Sequence, residues 1–258
     1  MTKKVMCTIL CLCLEPCWAE GKAVNTFSIK GEKIELVEVV ETEKMREEKD
    51  KLFAKRQDAN YLILQRALYP DKKPLWKLPK NYQDVTIAGK AQATKEQAAA
   101  YLKLYNYTLP IAARAEDIVN AYYVEAKSED IKWDIAFCQA LVETGFFTFG
   151  GTVVPEQNNF CGLGTVNANT RGVYFLTPQL GVRAHIQHLL AYSTKELPKT
   201  EIIDPRYYLV YNTKLTTGFS TKWSDLNGKW ATGSDYCEKI LDLHSKMREV
   251  IAVSGEEM

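Results

Sequence analysis

Glu143 is the residue in this chain whose neighbours best suit it to act as an acid. Upstream, Ile131, Ile135, Cys138 and Val142 recur at intervals of four, three and four residues, an apolar stripe at helical period that should face a core. At about 100° per residue, Glu143 falls roughly 120° round from Ile131, at the edge of that stripe. Gln139 lies one turn earlier on the same edge. Glu143 also occupies the last helical turn, where the macrodipole disfavours negative charge. Phe146, Phe147 and Phe149 follow, and partial burial beside them would push the same way, raising its pKa. A carboxylic acid held protonated near neutral pH can protonate a leaving oxygen, which is glycosidase chemistry. Taken alone, the pattern also fits an ordinary polar boundary residue.

Other chemistries have weaker footing. The three histidines are His185, His188 and His244. His185 and His188 could converge from one helix face, but no third ligand accompanies them, so structural or surface roles are expected. Four of the seven cysteines (Cys7, Cys11, Cys13, Cys17) lie in the first nineteen residues. Cys138, Cys161 and Cys237 remain, without CxxC spacing, which points to buried thiols rather than to a disulfide framework or a zinc site. No metal and no cofactor is implied.

The first nineteen residues read as a secretory signal. Lys3 and Lys4 precede an apolar run from Val5 to Leu14, then Pro16 and Cys17-Trp18-Ala19. Export to the periplasm, cell wall or extracellular space is therefore expected, with no stable membrane insertion after cleavage. Beyond the leader no run of about 18 apolar residues occurs, which argues against a polytopic membrane protein. The 258 residues are 46% hydrophobic and 25% charged, a globular composition. Lys and Arg number 33 against 32 Asp and Glu, and this balance argues against a nucleic-acid partner.

The elements that must position Glu143 can be read from caps and periodicity. Residues 20–83 form an N-terminal extension: short strands at Thr26–Ile29 and Ile34–Val39 with Gly31 between them, a charged helix over 42–68, and a connector over 69–83 carrying Pro70, Pro74 and Pro79. A domain over 84–252 follows, with a short tail at 253–258. Helices are predicted from Thr94 as cap to Tyr105, from Ala112 to Lys127, from Lys132 to Thr144 with Gly145 as the stop, from Thr177-Pro178 to Tyr192, and from Ser234 to Val250. Phe146 to Tyr174, rich in Gly, Asn and Thr, should be loops and short strands. Asp204-Pro205-Arg206 reads as a turn with an ion pair available to it.

Several blocks stand in a telling order. Val142-Glu143-Thr144-Gly145-Phe146 leads to Gln157-Asn158-Asn159-Phe160-Cys161-Gly162-Leu163-Gly164. Then come Gly181-Val182-Arg183-Ala184-His185-Ile186-Gln187-His188-Leu189, Asp204-Pro205-Arg206, Leu226-Asn227-Gly228-Lys229-Trp230-Ala231, and Tyr236 ahead of Lys239-Ile240-Leu241. With Thr94-Lys95-Glu96-Gln97 and Tyr101-Leu102 upstream, this succession resembles the glucosaminidase domain of glycoside hydrolase family 73, the bacterial peptidoglycan endo-β-N-acetylglucosaminidases. The resemblance spans about Val85 to Val250.

It implies a mainly α (α+β), lysozyme-like helical domain with a small β or irregular lobe across a glycan groove. It implies cleavage of the β-1,4 bond between N-acetylglucosamine (GlcNAc) and N-acetylmuramic acid (MurNAc) in peptidoglycan glycan strands. Glu143 matches the family's general acid and Tyr236 its groove tyrosine. Gln157, Asn158 and Asn159 match the stretch after the acid, where amides could bond sugar hydroxyls or shape the loop, and Phe160 could pack on a sugar face. Gln139 is a further candidate substrate contact, and Trp230 could stack on a sugar or pack in the core. The second group stays open: Glu156 is the first candidate base, Asp225 and Asp235 are alternatives, and the substrate's own acetamide could serve instead. A lytic transglycosylase and a non-catalytic wall-binding module are the competing functions.

Overall fold

In the computed structural model of the protein, the described residues are 22–29, 32–38, 78–151, 153–165 and 172–250. The expected leader over 1–19, the expected helix over 42–68 and the tail over 253–258 lie outside them, and the connector is described only from residue 78. The chain divides into a unit ending at Ala59 and a unit beginning at Asn60. In the first, β1 (Lys22–Ile29) pairs antiparallel with β2 (Glu32–Glu38), Phe27 opposite Ile34, with an irregularity between Ala23 and Asn25.

The second unit is helical. Its helices are α1 (Lys95–Tyr105), α2 (Ala115–Ser128), α3 (Trp133–Thr144), α4 (Pro178–Ser193), α5 (Tyr207–Thr217) and α6 (Tyr236–Arg248). α2 packs on α1, α3 and α4; α3 packs on α6, and α4 on α5. Each start has a local cause. Thr94 caps α1 by accepting from Gln97 N at 3.2 Å, while Gln97 reaches back to Thr94 N at 3.0 Å. Asp117 performs the return half of such a box at α2, accepting from Arg114 N at 3.0 Å. Thr177 caps α4 ahead of Pro178, accepting from Leu180 N at 3.2 Å.

α3 is the central helix, and the expected stripe understates it. Trp133 through Leu141 are all buried, so the helix is enclosed on every side rather than along one face. Only its last turn reopens, at Val142 and Glu143, which are half-buried. Asp134 ties its first turn to its neighbours: Oδ2 accepts from Gln92 N (2.7 Å), Ala93 N (3.0 Å) and His244 Nε2 (2.8 Å) on α6. Burial would raise the pKa of this carboxyl, but the His244 contact and the backbone donors outweigh it and hold the pKa below the usual range.

The helices predicted from Thr94 onward appear with ends within three residues of those read from sequence. α5 is new. Its sequence, Tyr-Tyr-Leu-Val-Tyr-Asn-Thr-Lys-Leu-Thr-Thr, is poor in strong helix formers, and Tyr208, Leu209 and Leu215 stay exposed, so neither propensity nor a stripe announces it. The expected small lobe is irregular rather than β: between Phe146 and Leu176 the described residues form no strand. Two backbone bonds, Val173 N to Leu163 O (2.8 Å) and Phe175 N to Gln157 O (2.9 Å), close the loop instead. Cys161, Leu163, Phe175 and Ala184 form its apolar seat against α4, with Ile203 and Trp230 at the edge. Among the described residues, no helix is long and apolar enough to cross a membrane.

One glycine sets how closely this loop lies on α4. A Cβ at Gly181 would fall on the carbonyl group of Asn158, with the carbonyl carbon only 2.9 Å away. Both contacts are backbone, so neither can swing aside. Gly181→Ala is expected to lower stability by about 1–3 kcal/mol, as overpacking of a close interface does. Urea unfolding of the two proteins measures it, and an unchanged midpoint would show that the loop is free to lift from α4.

Candidate active site

The site is built on the end of α3. Gly145 ends the helix with φ 57°, and Phe146 N returns to Leu141 O at 2.8 Å. Phe146 and Phe147 also take left-handed backbone, φ 57° and 58°, which bulky residues seldom do. The turn is held from several directions. Thr144 Oγ1 donates to Ala140 O (2.7 Å) and accepts from Phe147 N (2.9 Å). Asn106 Nδ2 donates to Phe146 O (3.0 Å) and Phe147 O (3.1 Å), and both rings are buried. The helix end carrying Glu143 therefore has little freedom to move.

Two donors from distant sequence meet the carboxyl group. Tyr236, the first residue of α6, donates its hydroxyl hydrogen to Glu143 Oε1, and Trp230 Nε1 donates to the same oxygen at 3.1 Å. Oε2 lies beside Gly162, where a Cβ would come within 3.9 Å of it. An oxygen accepting two hydrogen bonds has no lone pair left for a proton, so the neutral acid carries its hydrogen on Oε2. Burial pushes the Glu143 pKa up to about 7 against the pull of the Tyr236 and Trp230 hydrogen bonds, which favour the charged form. The residue as a whole keeps partial solvent access, and it is the packing around the carboxyl group that sets this shift. Burial likewise holds the Tyr236 phenol well above its usual range, so it stays a donor.

Behind Tyr236 runs a buried chain of hydrogen bonds. Gln139 Nε2 donates to the Tyr236 oxygen at 2.8 Å, His185 Nε2 meets Gln139 Oε1 at 3.0 Å, and the Tyr122 hydroxyl meets His185 Nδ1 at 2.8 Å. Once Gln139 donates to Tyr236, its oxygen faces His185, so Nε2 must carry the imidazole hydrogen and Nδ1 must accept from Tyr122. Burial, reinforced by the charge His188 would carry, pushes the His185 pKa down to about 3, which keeps that ring neutral. Each hydrogen points one way along the chain, toward Glu143.

In front of Glu143 opens a cleft of about 260 Å³, lined by Glu143, Gly162, His188, Tyr192, Arg206 and Trp230 among others. Among the described residues that line it, Glu143 is the only carboxylic acid. His188 is oriented by Asp204, its Nδ1 lying 2.7 Å from Asp204 Oδ2. Among the described residues, no group of three or more His, Cys, Asp or Glu side chains is arranged to hold a metal ion. Cys138, Cys161 and Cys237 are buried free thiols.

The structure brings Glu143, Tyr236 and Trp230 together and sets most of the other candidates apart. Gln139 is fully buried and serves Tyr236, so it has no surface for a substrate. Gln157 is buried, donating to Gly172 O (2.7 Å) and accepting from Val154 N (2.8 Å). Asn159 is buried and folds its own loop, donating to Leu163 O (2.8 Å) and accepting from Leu163 N (2.9 Å). Asn158, half-buried at φ 48°, donates to Phe175 O at 2.9 Å. Phe160 is fully buried against Phe147, ring centroids 5.3 Å apart, and offers no face to a sugar. Trp230 neither stacks openly nor sinks into the core: its ring packs beside His188 and Tyr192 while its edge serves the acid. Glu156 is exposed in the 3-10 turn Pro155–Gln157 and does not line the cleft. Asp225 accepts from Lys222 N at 2.9 Å and Asp235 pairs with Lys239 at 3.2 Å, so neither joins the site.

Sequence reasoning missed His188, Tyr192 and Arg206 as cleft residues. The spacing of His185, His188 and Tyr192 on one helix was a usable signal, whereas Arg206 depends on the unforeseen α5.

Residues 119–249 match the glucosaminidase family, described as mannosyl-glycoprotein endo-beta-N-acetylglucosaminidase. The chain belongs to this family. It is accordingly a glycoside hydrolase of the endo-β-N-acetylglucosaminidase kind. The matched stretch begins inside α2 and runs through α6, taking in Glu143, Trp230 and Tyr236. An uncharacterized Borreliella burgdorferi protein is 38% identical over 142 residues, covering 53% of this glucosaminidase chain and 67% of its own length. The crystal structure of S. aureus Autolysin E in complex with muropeptide NAM-L-Ala-D-iGlu aligns over 87% of this chain and 83% of that one. With 12% identity and a TM-score of 0.39, that likeness is too loose to bear on the site.

Glu143→Gln separates the ionisable group from its hydrogen-bonding role, because the amide oxygen still accepts from Tyr236 and Trp230. A folded-state pKa of about 7 against a usual 4.5 means stability that is full below 4.5 and is lost as pH rises toward 7. The variant lacks this loss, so its advantage over the wild type should grow by on the order of 1–3 kcal/mol between pH 4 and pH 8. Denaturant unfolding at the two pH values tests this, and a constant difference would place the carboxyl group in ordinary solvent.

Proposed function

We propose that this glucosaminidase cuts peptidoglycan at the β-1,4 bond between GlcNAc and MurNAc, with Glu143 as general acid. The observation that carries the reading is the convergence of Tyr236 and Trp230 on Glu143 Oε1, which leaves a protonated Oε2 to meet the leaving oxygen. A pKa near the operating pH suits a group that must both give up and regain a proton. Tyr236 holds the carboxyl group in place and stabilises the carboxylate once the proton has left. With one acid lining the cleft among the described residues, the geometry favours a route in which the substrate's 2-acetamido group supplies the internal nucleophile over one in which Glu156 activates water.

Catalysis is assigned to residues 84–252, with 20–83 as an extension and 253–258 as a tail. Removal of residues 1–19 and action in the periplasm, cell wall or medium follow from the apolar leader and from the polymer attacked. Glycan strands are the partner that the cleft is read to receive. Neither nucleic acid nor a lasting membrane anchor enters this reading.

Incubation of the protein with purified peptidoglycan, borohydride reduction and mass spectrometry tests the assignment. Reduced GlcNAc ends are expected, and Glu143→Gln should lower their rate of formation by about a thousandfold or more, the scale on which removal of an essential general acid acts. Anhydro-MurNAc ends would move the chain to the lytic transglycosylases. An absence of products with retained binding would make it a wall-binding module.

The pH profile offers an independent check. If Glu143 must be protonated, kcat falls as pH rises through about 7. Tyr236→Phe removes the hydrogen bond that holds the pKa down, so the alkaline limb should move to higher pH while the maximal rate drops. An unmoved limb would mean that the group titrating in the profile is not Glu143.

A further inference from the structure

A second cavity, of about 370 Å³, adjoins the Glu143 cleft. The two share Tyr192, Arg206, Val210 and Lys229 in their linings, so they are compartments of one groove. Arg206, Lys214 and Lys229 line the second compartment, and among the described residues no carboxylate does. Lys214 is buried, with Nζ donating to Ser220 Oγ at 3.1 Å and lying 4.9 Å over the Tyr192 ring. Burial first, and then the charge of Lys229, lowers its pKa.

Arg206 is the informative member. Its Nε is shut off from solvent and meets no acceptor among the described residues. The carboxylate two residues earlier is committed elsewhere: Asp204 Oδ1 accepts from the Arg206 backbone N–H (2.8 Å), and Oδ2 lies against His188 (2.7 Å). Lys229 is exposed and forms no ion pair among the described residues. A guanidinium N–H desolvated without an acceptor costs stability, and the planar fork of the half-buried Arg206 side chain matches a carboxylate in two parallel hydrogen bonds. The cationic compartment therefore suits an anion, and it shares Tyr192, Arg206, Val210 and Lys229 with the cleft that holds the acid.

We propose that Arg206 and Lys229 form a subsite for a carboxylate carried on the muramic acid side of the substrate. The inference rests on the peptidoglycan reading above and extends it from a sugar backbone to a charged substituent. Two sources carry this chemistry: the carboxylates of the stem peptide, and the lactyl carboxylate freed when the stem is removed. GlcNAc itself is neutral and offers Arg206 hydroxyl and acetamide oxygens but no carboxylate.

The test follows reducing-end release by the full chain on three polymers. One is intact peptidoglycan. The second is the same material with its carboxylates capped by carbodiimide coupling to methylamine. The third is glycan stripped of stems by an amidase, which exposes lactyl carboxylates. Arg206→Gln should lower kcat/KM on a carboxylate-bearing polymer by about tenfold, the scale of one charge-assisted hydrogen-bond pair, and by no more than about twofold on the capped polymer. A loss on intact material assigns the stem carboxylates; a loss confined to the stripped glycan assigns the lactyl group.

Lys229→Gln, at an exposed position, should reproduce the pattern at smaller size and guards against misfolding of the arginine variant. Equal activity of variant and wild type on every polymer would overturn the subsite, as would an equal loss on all three. Co-sedimentation of Glu143→Gln protein, with and without Arg206→Gln, on intact and capped peptidoglycan reads the same recognition without turnover. Failure of the hydrolase reading is thereby kept apart from failure of the subsite.

Discussion

Two hydrogen bonds to a single oxygen of Glu143 organise this molecule. They reach a carboxyl group at the one place where the central helix comes out of the core, and they arrive from residues 87 and 93 positions away in the chain. Asp134 anchors the start of that helix to α6, and α6 in turn presents Tyr236 at its own first residue. The left-handed turn through Gly145, Phe146 and Phe147 stops the helix without letting its last turn fray. The strained backbone there is retained because both rings are buried and both carbonyls are bonded by Asn106.

The interior behind the site is polar, and it is fully paired along the line that matters. Tyr122, His185, Gln139 and Tyr236 form a chain in which every hydrogen has one direction, because an amide has distinct ends and the imidazole is kept neutral by burial. In a low-dielectric interior such a chain resists reversal, since turning any one member would set two acceptors or two donors face to face. The hydrogen that Tyr236 offers Glu143 is thus fixed by residues that never meet the substrate. A buried polar chain of this kind serves orientation.

Charge is distributed unevenly around the groove. The acid is packed against Tyr236 and Trp230, where desolvation raises its pKa. In the adjoining compartment Arg206, Lys214 and Lys229 come together with no carboxylate among the described lining residues. The first arrangement suits bond breaking at a neutral sugar, and the second suits recognition of an anionic substituent. Tyr192 stands between them and lines both compartments.

Much of this could be read from the sequence. The caps at Thr94 and Thr177, the stop at Gly145, the acid at the end of the helix and the upward direction of its pKa follow from local chemistry, because they depend on residues within a turn or two. Sequence order also marked Glu143 and Tyr236 as belonging to one site. It did not separate the amides that touch solvent from those that build the loop, and Gln139, Gln157, Asn159 and Phe160 turned out to be framework. Burial is a property of where distant segments pack, and no window of sequence contains it. For the same reason α5 stayed hidden, since its residues are weak helix formers held in place by α4, and with it the cationic compartment that Arg206 opens. Sequence alone determined which chemistry was available and on which helix end it stood. Only the tertiary structure decided which oxygen keeps the proton, which residues aim it and which charges wait beside it, because those depend on distances between segments that local preference cannot set.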